Sequence, residues 1–537
     1  MKIYRTHVLI AQDQRSMLMG AQDIETALRE EIKKRGLENE VAIIPTGSLG
    51  YDNGVAIAVY PESIVYVPVT RAEIPAIVEE HFLKGRIVRH LSKPISKGEV
   101  GVLRGTHTEK VLGVQQRIVL GNVGVINPEN IDEYIAAEGY SAIAHALSSM
   151  TPATLLDEVK KSELRGRGGA GFPTGTKWAG AAQELADVKY IICNADEGEP
   201  GTFKDREIME GDPHKLLEGM MLAGYATGAA KGYIYVRGEY TLAIARLNKA
   251  VKDAREKGLL GKSILGTPFC FDIEVVRGAG AYICGEESAL IESIEGKRGE
   301  PRKKPPYPAQ KGLWQKPTVV NNVETLANIP HIALNGGDWY RAIGVEGSRG
   351  TKIFSLMGDL NWKGVIEIPF GTPLSRIISE IGGGVRMGRK LKGVILGGVS
   401  GSLITPDELD TPVDFKALAR IEAGPGSGAI IALDETRSIP DVVLNIAQFF
   451  HHESCGRCTP CRAGNEQIVH IIKKICAGKA EVSALDTLDE LGRDMYLTSF
   501  CPLGQTAPNI LAQSLKKYRG EWDECLAGKK DKSACCA

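Results

Sequence analysis

Apolar and polar positions along this chain follow different rhythms in successive stretches. From residue 1 to about 100, short apolar runs alternate with amphipathic stretches: HVLIA, AQDIETALREEIKKRG, VAII, VAIAVY, IVYVPV and EIPAIVEEHFLKG. Unbroken or alternating apolar runs of about 4–8 residues read as strands, and apolar residues three and four apart read as helix. Residues 1–100 therefore predict a small α/β unit. Residues 101–135 carry scattered Gly without a sustained period and read as a linker. Between 136 and 342, VKYIICN and KGYIYVR read as buried strands beside helical stretches, the pattern of a parallel α/β sheet. In 343–436, TKIFSLMG, GVIEIPFG, LKGVILGG and GAIIALDE surround a helix at TPLSRIISEIGG, a small α+β module. Helical spacing dominates 437–537, in IPDVVLNIAQFFHHES, NEQIVHIIKKICAG, ALDTLDELGRDMYLT and NILAQSLKKYRGEWDECLAG.

Composition changes this picture little. The 537 residues exceed a single core, the 43% apolar and 24% charged fractions are those of a globular chain, and the net charge of -1 argues against nucleic-acid or polybasic membrane binding. No segment approaches the roughly 18–20 apolar residues of a membrane span, and the apolar stretch near the N-terminus is too short for a signal-peptide core. The expected compartment is the cytoplasm, with no membrane contact. Cysteine distribution is more informative: eleven in all, none before Cys193, and a tight group at Cys455, Cys458 and Cys461 with Cys501 downstream.

Cys-x-x-Cys-x-x-Cys puts three thiolates on one loop, as a 4Fe–4S cubane needs, with Cys501 as fourth ligand. Zinc is the rival, although structural zinc usually takes separated Cys-x-x-Cys pairs. Cys193, Cys270, Cys284 and Cys476 are expected to pack as small apolar residues. Cys525, Cys535 and Cys536 form no recognisable ligand set.

The segment GRGGAGFPTGTKW, 166–178, concentrates glycine ahead of a helix, which suits an anion cradled by main-chain N–H groups, with Lys177 adding charge. It is neither a Walker loop nor a Rossmann fingerprint, and a surface loop is the plain alternative. After the strand VKYIICN come Asn194, Asp196, Glu197 and Glu199, where ligands of open α/β sheets bind. These carboxylates suit ribose hydroxyls and a flavin edge better than a bare phosphate; a solvated acidic loop is the alternative. Two further clusters are GAGAYICGEESALIESIEG and PTVVNNVETLAN, where Asn-Asn also suits an ordinary turn.

With NADEGEPGTFKDR and PRKKPPYPAQKGL, these motifs occur in the order that resembles one family: the FMN- and NADH-binding subunits of respiratory complex I, of cytosolic NAD-dependent hydrogenases, electron-bifurcating ones included, and of formate dehydrogenases. The hydrogenase β-subunit type is nearest. The resemblance implies that Gly166, Gly168, Lys177, Asn194, Asp196, Tyr282, Gly285, Val320, Asn321, Asn322 and Thr325 hold FMN, and that Arg167 and Lys304 also belong to the cofactor site. Glu197, Glu199, Glu286 and Glu287 line the NADH side, and Phe172 and Tyr307 stack on adenine. The family often has another aromatic where this chain has Gly180. Glu199 implies NAD rather than NADP, because a carboxylate accepts from a ribose hydroxyl and repels a 2′-phosphate. No side chain is expected to act as acid or base in the hydride step.

The implied fold is α/β multidomain: a degenerate thioredoxin-like domain (1–100), a linker (101–135), a Rossmann-like FMN domain (136–342), a ubiquitin-like α+β domain (343–436) and a helical 4Fe–4S domain (437–537). Relatives carry a 2Fe–2S cluster in the first domain. Here Ala11, Ser16, Ser48 and Asp52 stand where its cysteines fall, so one 4Fe–4S cluster is expected beside FMN and NAD(H). The implied partners are a small thioredoxin-like 2Fe–2S subunit and a larger iron–sulfur subunit serving hydrogenase or formate dehydrogenase chemistry. The complex I subunit is the alternative within the family, and a cofactor-free scaffold is the alternative outside it.

Overall fold

The computed structural model describes residues 4–51, 53–94 and 115–528. Asp52, Cys535, Cys536 and residues 101–114 of the expected linker lie outside the described residues.

Strands β1 (Thr6–Ala11), β2 (Val41–Thr46), β3 (Val55–Tyr60), β4 (Ile64–Val69) and β5 (Ser92–Pro94) form the first sheet, in the order β2-β1-β3-β4-β5. β1 and β2 run parallel, joined by the helix Ala21–Lys34; the other pairs are antiparallel. That helix buries Ile24, Ala27, Leu28 and Ile32 against the sheet, the face its periodicity marks.

The central sheet is wholly parallel: β6 (Tyr190–Ala195), β7 (Lys231–Val236), β8 (Asp272–Arg277) and β9 (Thr318–Asn322), in the order β8-β7-β6-β9. Ile191, Cys193 and Ala195 enter the largest hydrophobic cluster, while Ile192, Tyr233 and Val320 enter a second one on the other face. Apolar cover on both faces explains why these strands read as unbroken apolar runs rather than alternations. The C-terminal helices Ile439–Glu453 and Thr459–Cys476 pack in that second cluster, which sets them against the central sheet.

After a two-residue ladder, β10 (Gly344–Val345) with β11 (Ser348–Arg349), a third sheet follows. It comprises β12 (Thr351–Gly358), β13 (Gly364–Pro369), β14 (Leu391–Leu396), β15 (Ser402–Ile404) and β16 (Ala429–Asp434), ordered β13-β12-β16-β14-β15. Leu374, Ile377, Ile378 and Ile381 cover one face from the expected helix.

Three expectations need correction. Residues 115–135 are not a linker: Val119, Leu120, Val123, Ile126, Ile131 and Tyr134 belong to the largest core, and the amides of Val119 and Leu120 donate to the buried Glu367 carboxylate at 3.0 and 2.9 Å. The last helical stretch is two helices, Asn509–Lys517 and Arg519–Leu526, broken at Tyr518, whose hydroxyl donates to the Lys392 carbonyl at 2.6 Å. Cys270 is exposed rather than packed. Among the described residues, no helix is long and apolar enough to cross a membrane.

Candidate functional site

Strand order reverses between β6 and β9, so a crevice opens beyond their carboxyl ends, the position at which open α/β sheets bind ligands. The glycine-rich segment closes over this place as a narrow loop: Arg165 bridges Pro173, and the Gly166 amide donates to the Phe172 carbonyl at 2.9 Å. It then feeds the helix Thr174–Gln183. At Gly168 a Cβ would stand 3.0 Å from Asn322 Cβ, so an added side chain would press on the end of β9. We expect Gly168→Ala to weaken flavin retention by pushing Asn322 aside, measurable as a higher FMN Kd in reconstitution.

Most residues expected at the crevice do converge there. Asn194 donates to the Gly285 carbonyl at 2.8 Å and accepts from the Asp196 amide. Lys177 Nζ donates to the Val320 carbonyl at 3.0 Å and pairs with Glu287 at 3.1 Å. Lys304 Nζ bridges Glu286 and Glu287 at 2.8 and 2.7 Å. Burial raises the Glu287 carboxyl, but Lys177 and Lys304 outweigh it and hold the group below its ordinary value. Asn321 accepts from the Trp178 indole at 2.7 Å, and Asn322 Nδ2 donates to Asp205 at 2.6 Å. Thr325 Oγ1 accepts from the Arg167 amide at 2.8 Å.

Two expected contacts have other occupations. The Arg167 side chain is fully buried and donates to the Thr351, Arg165 and Arg349 carbonyls and the Tyr340 hydroxyl. It anchors the loop from behind. Glu197, expected on the nicotinamide side, accepts from the Asp205 and Arg206 amides at 2.8 and 3.1 Å, at the start of the helix Lys204–Gly211. Burial pushes its carboxyl up to about 7.

Glu199 is held by a segment that sequence reasoning passed over. Its Oε1 accepts from the Ser400 amide at 2.8 Å and from the Ser400 hydroxyl. At Gly398, φ is +93° and a Cβ would lie 2.4 Å from Glu199 Cδ, so only glycine lets this loop fold around the carboxylate. The repeated glycines of GGVSGS were the available signal. Phe172 and Tyr307 are exposed, at 52% and 56%. Gly180, on the helix after the loop, faces Ala309, whose Cβ would be 3.8 Å from a Cβ built there.

Asp196 Oδ2 is buried without a hydrogen-bond partner. Burial is the chief force raising its carboxyl from 3.8 to about 7. The folded chain thus holds this proton more tightly than the unfolded one does. The resulting stability is complete below the unfolded value and is lost as pH rises through about 4 to 7. Thermal melts of flavin-free protein should therefore fall over that range, and Asp196→Asn should flatten the slope.

Behind the crevice lies a buried ionic cluster that no motif announced. Glu324 Oε2 meets Lys204 at 2.8 Å and Lys352 at 3.1 Å, while Oε1 accepts from the Ile353 amide at 2.8 Å. Lys204 also pairs with Asp205 at 2.7 Å, the residue that holds Asn322. Lys352 donates to the Arg167 carbonyl at 3.1 Å. Burial is the largest influence on Lys352 and pulls it down to about 8.

Cys455, Cys458, Cys461 and Cys501 line one cavity with Ile283, Phe500 and neighbours. Tetrahedral zinc, with Zn–S about 2.3 Å, would draw its thiolates to roughly 3.8 Å of one another. Four cysteine side chains around one cavity can hold a polynuclear cluster. The Ser454 hydroxyl lies 3.3 Å from Cys461 Sγ, and Asn465 Nδ2 donates to it at 3.4 Å, contacts that tune such a centre. The turn Tyr282–Gly285 touches both sites: Ile283 lines this cavity, and Gly285 accepts from Asn194. Tyr282 packs on Phe449 at 5.2 Å between ring centroids, and its amide donates to Glu453 at 2.8 Å, just before the cysteine loop.

Residues 159–331 match the Nuo51 FMN-binding domain, and 441–525 match the NADH-ubiquinone oxidoreductase-F iron–sulfur binding region. The chain is 48% identical to the NADP-reducing hydrogenase subunit HndC of Solidesulfovibrio fructosivorans, covering 81% of this chain and 88% of that relative. It is 48% identical to an NADH-quinone oxidoreductase subunit of Aquifex aeolicus, covering 74% and 91% respectively. A crystal structure of an NAD+-reducing [NiFe]-hydrogenase in the H2-reduced state is similar, with a TM-score of 0.69 and 32% identity over 97% of this chain and 84% of that chain.

Proposed function

The chain belongs to the family of NADH- and FMN-binding subunits of NADH-quinone oxidoreductases and NADP-reducing hydrogenases, and from that premise we propose that it is the diaphorase subunit of a hydrogenase-type complex. It binds FMN, NADH and a 4Fe–4S cluster. Bound FMN supplies the exchange between a two-electron hydride and single electrons.

The residues of the chain position and screen. The loop at Gly166–Gly168 and Lys177 receives the flavin phosphate; Asn194, Asp196 and Asn322 meet its polar groups. Glu286 and Glu287, fixed by Lys304, shape the dinucleotide side, and Phe172 and Tyr307 offer ring faces for adenine. Cys455, Cys458, Cys461 and Cys501 hold the cluster. The Tyr282–Gly285 turn, shared by crevice and cavity, is the observation that carries this reading. Purified protein should be yellow, bleach with NADH and then show a reduced-cluster EPR signal; absence of the signal after bleaching overturns it.

The hydrogenase type is favoured over the complex I subunit by coverage. The hydrogenase relative HndC aligns over 81% of this chain, whereas the Aquifex relative aligns over 74%. The first sheet is read as a thioredoxin-like domain without its cluster, and the third as ubiquitin-like. Ser16, at one vacated cysteine position, donates to Asp13 at 2.6 Å, and the loop is held to the central unit by Arg246, which donates to the Gln12 carbonyl at 2.9 Å. That domain serves for docking, and iron analysis of the intact chain should find one 4Fe–4S cluster only. Glu199 favours NADH: kcat/KM for NADH should exceed that for NADPH, and Glu199→Gln should narrow the difference.

A further inference from the structure

Glu199 lies just beyond the carboxyl end of β6, yet it is gripped from the third sheet. The turn between β14 and β15, residues 397–401, supplies the Ser400 amide and the Ser400 hydroxyl, and both donate to Oε1. Oε2 is then the oxygen left for a ligand, and the residue is only partly buried. Burial raises the Glu199 carboxyl, while the Ser400 and Ser427 donors oppose that rise. Two donors on one oxygen favour the ionised carboxylate and a single orientation of it.

The turn itself is held from several sides. The Ser427 amide and hydroxyl donate to the Gly397 carbonyl at 3.1 and 2.9 Å. A Cβ on Gly426 would fall 2.4 Å from that same carbonyl oxygen, so the two glycine-rich turns lie backbone against backbone. Ser427 Oγ is also 2.7 Å from Thr202 Oγ1, three residues after Glu199. From the C-terminal helices, Asn509 Nδ2 donates to the Ser400 carbonyl at 3.2 Å. Tyr282, expected at the flavin, faces both Glu199 and Ser400.

We propose that Ser400 is a positioning residue for the dinucleotide, aiming the Glu199 carboxylate at the adenosine ribose and making the third domain a wall of the nucleotide pocket. It rests on the reading that Glu199 meets NADH and adds the group that aims it. A carboxylate already pinned at Oε1 offers Oε2 to ribose hydroxyls with little further ordering cost. A 2′-phosphate in the same place meets a charge that cannot turn away.

The test is steady-state NADH oxidation by the flavin-loaded full chain, with ferricyanide as acceptor. Ser400→Ala should raise KM for NADH about fivefold or more, with a smaller change in kcat, because a hydrogen bond to a charged group is lost from binding. KM for NADPH should rise less, so the preference for NADH narrows. Ser400→Thr, which keeps the hydroxyl, should return KM to within about twofold of wild type. Asn509→Ala, which loosens the turn without touching Glu199, should raise KM in the same direction by a smaller factor. An unchanged KM in Ser400→Ala and Asn509→Ala, or an equal rise in Ser400→Ala and Ser400→Thr, overturns the role of Ser400. Glu199→Gln separates the two readings. If it alters KM and the nucleotide preference while Ser400→Ala does not, only the role of Ser400 falls. If it alters neither, Glu199 does not meet the dinucleotide and both readings fall.

Discussion

Replacing Cys501 with alanine should separate the two halves of the reaction. NADH should still bleach the flavin, while the reduced-cluster EPR signal disappears and delivery to partner subunits falls by more than about a hundredfold. Outer contacts of a metal centre already cost about 10–100-fold when removed, and this change removes a ligand itself. The cavity lining offers no His, Asp or Glu to replace it, and Ser454 supplies the one side-chain hydroxyl there. Cys501 is buried at the start of the helix Pro502–Thr506, apart from the other three cysteines, so its loss leaves their loop in place. Retained cluster signal with normal delivery would show that the fourth ligand lies elsewhere.

The second large effect concerns stability. Glu324→Ala should destabilise the protein by about 3–5 kcal/mol, the usual consequence of leaving buried charge unmatched. Lys204 and Lys352 would lose their shared carboxylate, and only Asp205 would remain beside Lys204. Because the same cluster holds Arg167 and Asn322, flavin should be released well before the chain unfolds. Denaturant titration with FMN fluorescence and circular dichroism followed together would show this as two separated transitions; coincident, wild-type-like transitions would refute it. Glu324→Gln, which retains an acceptor for the Ile353 amide, should lie between the two.

The sequence showed much of this site, unevenly. Strands β6 and β7 were legible because cover on both faces leaves an apolar run. The four cysteines were legible because three share one loop. The partners of the Arg167 side chain were hidden because Tyr340, Arg349 and Thr351 are remote in the chain. The hold of the Asp205 and Arg206 amides on Glu197 was hidden because an acidic residue after a strand looks the same whether it meets a ligand or the start of the next helix. Glu324 lies within VVNNVETLAN with no local sign of burial; its partners come from another helix and another sheet. Val119 and Leu120 were hidden because their amides are satisfied by Glu367 rather than by a regular element.

The contact between Lys352 and the Arg167 carbonyl joins positions 185 residues apart. Chains emerge from the ribosome N-terminus first, at about 5–20 residues per second, and domains fold as they appear. The glycine-rich loop is therefore synthesised long before its support exists. The crevice cannot take its final form until β12 has been translated and docked. Flavin loading thus belongs to the late stage of biogenesis, and a chain arrested before residue 352 should emerge without flavin, however well its central sheet has formed.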